Sequence, residues 1–321
     1  MRIVYAGPMP TSTLDRRALA RLARLLRPAS RHKNDASAAA DTNWRRFRGE
    51  PWPAGLELQW LGTAGFRISY AGAHLYVDPY LTRSALGETL LARPLRPREA
   101  VVARHVPAAD AVLVGHTHFD HALDLAPIAR RTGCAVFGSR SVANLLAAHG
   151  LADRARVVEP YRTYDVGPFA VTFVPSLHSK LVLGLRVPFD GELTCDHLDD
   201  LTAPAYRCGD VYGIHIAVAG VTFYHQGSAN LIDDAIVHRG VDYFLCGLAG
   251  RGFTRNYVAR ILRRLEPRVI VPHHHDNFFR PLDAPMGFSL RVNYAGFLDE
   301  VRAVSADFAV RSLDLLQTRT A

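Results

Sequence analysis

The segment Val114-Gly115-His116-Thr117-His118-Phe119-Asp120-His121 places four nitrogen and oxygen donors within six residues. An apolar run, Ala111 to Gly115, stops there and a histidine-rich loop begins at once. His116 and His118 stand two apart, so extended backbone aims both side chains the same way, and together they can grip one cation. Asp120 and His121 fall on the following turn and can grip a second. A donor set of this kind suits zinc, manganese or iron. A merely solvated histidine loop would leave its place directly after a buried strand unexplained.

Such a loop needs a frame. Glu57 to Gly62, Phe66 to Tyr70 and His74 to Val77 are short runs rich in β-formers, punctuated by Gly62, Gly65 and Gly72. They predict an antiparallel meander, and Asp78-Pro79 ends its third strand. Helices are expected around 122–131, 139–149, 254–265 and 291–304. Further strands are expected near 155–159, 168–174, 213–218, 221–225, 242–246 and 269–272. Strands thus cluster in two halves with helices between them. The pattern predicts an α/β fold, an αββα sandwich of two packed mixed β-sheets with helices on both outer faces.

The chain has 321 residues and a formal charge of +8, but the charge is uneven. Residues 1–50 carry eleven basic and four acidic residues, leaving +1 for residues 51–321. A nucleic-acid groove needs basic residues across the main fold, so no nucleic-acid partner is expected. Leu14, Leu19, Leu22, Leu25 and Leu26 share one arc of a helix and five arginines the other. Residues 1–50 are therefore expected to be a basic extension with an amphipathic helix. Its leucine face suits docking on the protein's own body or on a second copy in a homo-oligomer. Peripheral contact with anionic lipid through residues 12–27 is the sharper alternative. Residues 29–43 read as a polar linker. No apolar run reaches the ~18 residues of a membrane span. The four scattered cysteines read as free thiols, with Cys195–Cys208 the one pairing left open, which makes a cytoplasmic location the expectation.

The motif order resembles a known family. H-x-H-x-D-H after a buried strand is similar to the signature of the metallo-β-lactamase fold. Trp60-Leu61-Gly62-Thr63-Ala64-Gly65-Phe66 resembles its opening hairpin, and Leu75-Tyr76-Val77-Asp78-Pro79-Tyr80 the strand whose aspartate braces the metal loop. Leu-His-Ser at 177–179, Tyr-His-x-Gly at 224–227 and Pro-x-His at 272–274 follow in order. Among subgroups the chain looks closest to the ascorbate-6-phosphate lactonase and N-acyl-phosphatidylethanolamine phospholipase D branch. The resemblance makes residues 51–321 the hydrolase domain. It implies His116, His118 and His178 around a first ion, and Asp120, His121 and His274 around a second. The expected cofactor is one or two divalent ions, with zinc or manganese ahead of iron.

One position departs from that pattern. The family has Gly-Asp where this chain has Gly227-Ser228, and a hydroxyl is a weaker ligand than the bridging carboxylate. Strong binding at the first set and weaker binding at the second are therefore expected. His225 reads as a supporting donor or a packed core histidine. Asp276 reads as a hydrogen-bond partner of a histidine or a turn cap. In the strand ending at 273–275, alternation sends His273 and His275 opposite to His274.

A cation held by three neutral imidazoles lowers the pKa of its water to about 7. The implied chemistry is attack of a metal-bound hydroxide on an ester, lactone, amide or phosphodiester. Asp120 would orient the water and carry a proton to the leaving group. Arg186 and Arg251, with the apolar stretch 180–189 and Phe278 and Phe279, suggest an anionic, partly lipid-like small molecule as substrate. A ligand-binding or sensory protein that has lost turnover, and a nuclease of the same fold, are the competing readings.

Overall fold

The structure is a computed structural model and describes residues 31–182 and 184–321. The helix expected at Leu14–Arg27, with any lipid or subunit contact through residues 12–27, lies outside the described residues.

Two seven-stranded sheets face each other. The first contains β1 (Glu57–Gly62), β2 (Gly65–Tyr70), β3 (Ala73–Val77), β4 (Ala111–Leu113), β5 (Ala135–Gly138), β6 (Ala155–Val157) and β14 (Thr318–Arg319). Its order is β14-β1-β2-β3-β4-β5-β6. The meander β1–β3 is antiparallel, and β3 to β6 run parallel. The second contains β7 (Thr163–Val166), β8 (Phe169–Pro175), β9 (Tyr212–Val218), β10 (Val221–Gln226), β11 (Tyr243–Gly247), β12 (Val269–His273) and β13 (Ala309–Val310). Its order is β13-β12-β11-β10-β9-β8-β7, antiparallel from β7 to β10 and parallel from β10 to β13.

The period-two alternation of strands explains how these runs are buried on both faces. Leu75 and Val77 point into the space between the sheets, with Phe66, Phe173, Ile214 and Leu245. Tyr76 points outward, where Ile128 and Leu145 of the helices Leu125–Thr132 and Arg140–Ala148 cover that face. On the other sheet Phe244 and Ile270 point outward against Ile261, Leu262 and Phe297 of the helices Tyr257–Leu265 and Tyr294–Arg302. The expected αββα sandwich is the architecture observed.

Of residues 29–43, whose polarity suggested a linker, the described part from 31 onward is docked structure. Arg31–Thr42 is helical. Asp35 accepts a hydrogen bond from the Ala295 amide at 3.0 Å, at the start of the helix Tyr294–Arg302. Thr42 Oγ1 lies 2.8 Å from the Tyr294 hydroxyl. Trp44 then enters the core between the sheets, edge-on to Trp52 at 5.3 Å. An alanine-rich helix of this length is marginal alone; tertiary contacts that a local pattern does not show hold it. Among the described residues no helix is long and apolar enough to cross a membrane, and all four cysteines are free thiols.

Candidate metal centre

Every donor sits where a strand stops. β4 ends at Leu113, and His116 and His118 follow in the loop before the single turn Phe119–Ala122, which carries Asp120 and His121. His178 follows β8 and His274 follows β12. The six donors therefore converge at one end of the sandwich, all buried. Three sets have donor atoms within 4.8 Å of one another: His116, His118 and His178; Asp120, His121 and His274; and Asp78, His116 and His121. The ring centroids of His118 and His178 are 4.6 Å apart, and those of His116 and His121 3.8 Å.

Hydrogen bonds to the far nitrogens aim the rings. His118 donates from Nε2 to the Pro188 carbonyl at 2.8 Å, so its Nδ1 keeps a lone pair, 3.1 Å from His116 Nε2. His178 donates from Nδ1 to the Ser179 carbonyl at 2.8 Å. His121 donates from Nδ1 to Asp78 Oδ2 at 2.8 Å. Each leaves its other nitrogen as the acceptor, the tautomer a bound cation requires. His274 Nε2 lies 3.3 Å from Asp120 Oδ2, and His121 Nε2 lies 3.9 Å from the same oxygen. Imidazole nitrogens beside one carboxylate form a donor set that fits divalent transition metals.

The electrostatics of the three-histidine set agree with that fit. Burial, then the neighbouring imidazoles, holds His116 far below its ordinary pKa. Burial pushes His118 down to about 4 and His178 down as well. These rings are therefore neutral at pH 7 and free to donate electron pairs. Burial opposes the ionised form of Asp120, yet His121 and His274 hold its carboxyl well below the usual range. Burial likewise opposes a charged His121, yet Asp78 and then Asp120 raise it.

The supporting residues differ in what they touch. Asp78, at φ 43, accepts from the Gly115 amide at 2.7 Å and from His121, and so fixes the loop it precedes. Gly227 permits this: a Cβ there would stand 2.8 Å from Asp78 Oδ2. Ser228 lines the cavity over the donors, and its Oγ accepts the Ser179 amide at 3.1 Å. His225 is a packed core residue. It donates to the Ala64 carbonyl and stacks on His273 with ring centroids 5.0 Å apart. Asp276 bonds no histidine; it accepts the Thr63 amide at 2.9 Å and pairs with Arg83.

Strict alternation does not describe 273–275. The strand ends at His273, and His274 turns away in a left-handed conformation with φ 57. His273 thus packs on Phe66 between the sheets, while His275 stacks on Trp60. His274 alone of the three faces the donors.

Neither arginine reaches the site. Arg251 is buried, with its guanidinium bound to Glu300 and to the carbonyls of Val292 and Asn293. It fixes the start of the helix Tyr294–Arg302 rather than an anion. Arg186 is exposed in the loop after His178 and lies outside the cavity wall. Sequence reasoning missed Thr63 and Arg83, whose partner Asp276 lies about two hundred residues further on; Arg83 is buried with the whole run Tyr80 to Ser84, and no local signal marked it.

Residues 57–274 match the model of a family described as the beta-lactamase superfamily domain. The chain belongs to that family. Among curated proteins it is similar to a UPF0173 metal-dependent hydrolase of Methanosarcina mazei, 25% identical over 230 residues that cover 70% of this chain and 85% of that one. It is also similar to a protein of the same name from Anaeromyxobacter sp. (strain K), 29% identical over 234 residues, 69% and 75% of the two chains. Of solved structures, CmlA, a diiron beta-hydroxylase from Streptomyces venezuelae, superposes with a TM-score of 0.55 at 17% identity. That match covers 85% of this chain and 55% of CmlA, and it is a likeness of fold alone.

Proposed function

We propose that this chain is a metal-dependent hydrolase acting at a carbonyl or phosphoryl centre. The carrying observation is the convergence of His116, His118 and His178 beside the set of Asp120, His121 and His274, with the tautomers of His118, His178 and His121 fixed from behind. The name shared by the two curated relatives supports the same reading. The motif order favours the lactonase and phospholipase D-like branch within it.

A divalent ion in these sets would supply Lewis acidity and a water ionisable near pH 7. The chain's own residues do the rest. Asp120 stays ionised and lines the cavity, placed to accept a proton from the attacking water and return it to the leaving oxygen. The Pro188 and Ser179 carbonyls and Asp78 keep the imidazoles from turning. Phe119, Phe189, Phe278 and Phe279 keep bulk water from the reacting atoms.

Turnover of a generic ester and a generic phosphodiester with added Mn²⁺ or Zn²⁺ tests the proposal, alongside bound-metal analysis. Metal-dependent turnover that His116→Ala abolishes together with bound metal is expected. No metal-dependent turnover by the wild type, or an unaffected variant, would overturn it. Ser228 in place of a carboxylate favours one rival, a ligand-binding protein without turnover, and that rival predicts bound metal with no hydrolysis.

A further inference from the structure

Resting on the hydrolase reading, the cavity itself narrows the substrate. It has a volume of about 180 Å³, and among the described residues no lysine or arginine lines it. Asp120 is its one carboxylate. The two cations that sequence suggested are absent from its wall: Arg251 is committed to Glu300 and two carbonyls, and Arg186 stands outside.

What lines the wall is apolar and contacts both donor sets. Phe189 packs edge-on to His118 with centroids 6.4 Å apart, and Phe278 edge-on to His274 at 5.4 Å. Phe279 lies against Phe278 at 4.4 Å, and Leu181 and Pro188 complete the surface. A group reacting at the donors is thereby flanked by Phe189 beside His118 and by Phe278 beside His274, and the arm it carries meets this apolar surface. A carboxylate or phosphate on that arm, beyond the ions the donors would hold, would lose its hydration with no lysine or arginine beside it in compensation, which is strongly unfavourable. An apolar arm gains from the same burial. The volume falls below the ~300–1,000 Å³ usual for larger ligands, so the arm is compact.

We infer that the substrate is a neutral carboxylic ester or lactone that presents a compact, uncharged apolar arm to the Phe189–Phe278 wall. In its hydrolysis water adds to the acyl carbon and the bond from that carbon to the alkoxy oxygen breaks. One proton of the water passes to the alkoxy oxygen, and the product acid releases the other to solvent.

Two arms of one shape and different charge test this. Metal-loaded full-length protein is assayed with para-nitrophenyl 4-methylpentanoate, para-nitrophenyl hemisuccinate and bis-para-nitrophenyl phosphate. A kcat/KM at least tenfold higher for the neutral ester is expected. Phe278→Ala should shrink that ratio, chiefly by raising KM for the neutral ester, with an unchanged urea midpoint confirming its fold. Equal or reversed preference between the esters overturns the inference and leaves the hydrolase reading intact. So does turnover of the phosphodiester alone. If nothing is hydrolysed in a metal-dependent way, the hydrolase reading falls. The recognition claim is then read by saturation-transfer NMR on the wild-type protein: transfer to 4-methylpentanamide and not to succinamate supports it, and equal transfer overturns it.

Discussion

Arg83 Nη1 lies 2.7 Å from Asp276 Oδ2, and the two side chains are 1% and 0% exposed. This pair joins the end of the first sheet's meander to the segment that follows β12. Asp276 accepts the Thr63 amide through its other oxygen, and the Thr63 carbonyl accepts the His274 amide at 2.8 Å. Arg83, Asp276 and Thr63 thus hold His274 in its left-handed turn from behind, without touching the cavity. A left-handed conformation at a residue with a side chain costs on the order of 1–3 kcal/mol, and this chain of polar contacts holds it in place.

Removing one partner leaves the other charge buried alone. Arg83→Met should therefore lower the unfolding free energy by about 3–5 kcal/mol, read from urea denaturation of metal-free protein. It should also weaken metal binding at the set containing His274 by roughly 10- to 100-fold, while His116, His118 and His178 keep theirs. Unchanged metal titration in a folded Arg83→Met protein would show that His274 needs no such support.

The contrast between Arg83 and the histidine loop shows what a local reading can reach. His116, His118, Asp120 and His121 lie within six residues, so spacing alone exposes them. His178 and His274 come from the second sheet, and only resemblance to a family pattern connected them to the loop. Arg251 has the type and position of an anion binder, yet Glu300 and two carbonyls of a distant segment take up its guanidinium. The alternation of β-formers made both sheets legible, because burial on two faces leaves a continuous apolar record. The short inner strand β5 and edge strands such as β7, β13 and β14 left none, and neither did the helix Arg31–Thr42.

That helix gives a prediction of its own. Residues 31–50 would tolerate substitution if they were a linker. Docked as they are, Asp35→Ala should cost about 1–2 kcal/mol through the loss of the bond to the Ala295 amide at a helix start. Trp44→Ala should cost about 3–5 kcal/mol, because its ring is 2% exposed between Trp52 and Tyr243. Urea midpoints within error of the wild type for both variants would contradict the docking.

Ser228 should govern how many ions the protein keeps. Its Oγ accepts the Ser179 amide and brings no negative charge to the junction of the two sets, where the family pattern has a carboxylate. After dialysis against a mild chelator, about one tightly held ion per chain is expected by elemental analysis. Ser228→Asp should raise the retained number toward two. Two ions retained by the wild type would show that the second set holds its ion without a bridge.

Acid should destabilise the metal-free protein from pH 6.5 downward through its buried imidazoles. Burial pushes His118 from its ordinary 6.5 down to about 4, and it pushes His116 and His178 down too. Below pH 6.5 the unfolded chain takes up protons that the folded chain refuses. The stability these rings contribute is therefore complete above 6.5 and is lost as the pH falls through the folded value. For His118 alone that loss is about 3 kcal/mol. His121 acts in the opposite sense: burial opposes its charge, but Asp78 and Asp120 raise its pKa. Its contribution is present in acid and disappears as the pH rises through that raised value. The change at His121 falls above pH 6.5, so between pH 4 and 6.5 the lowered rings set a positive slope. The half-buried His215 and the buried His225, His273 and His275, lowered in the same way, add to it. Urea midpoints in chelator at pH 6.5, 5.5 and 4.5 should fall in that order; a flat or rising series would mean that the imidazoles are already protonated in the folded protein.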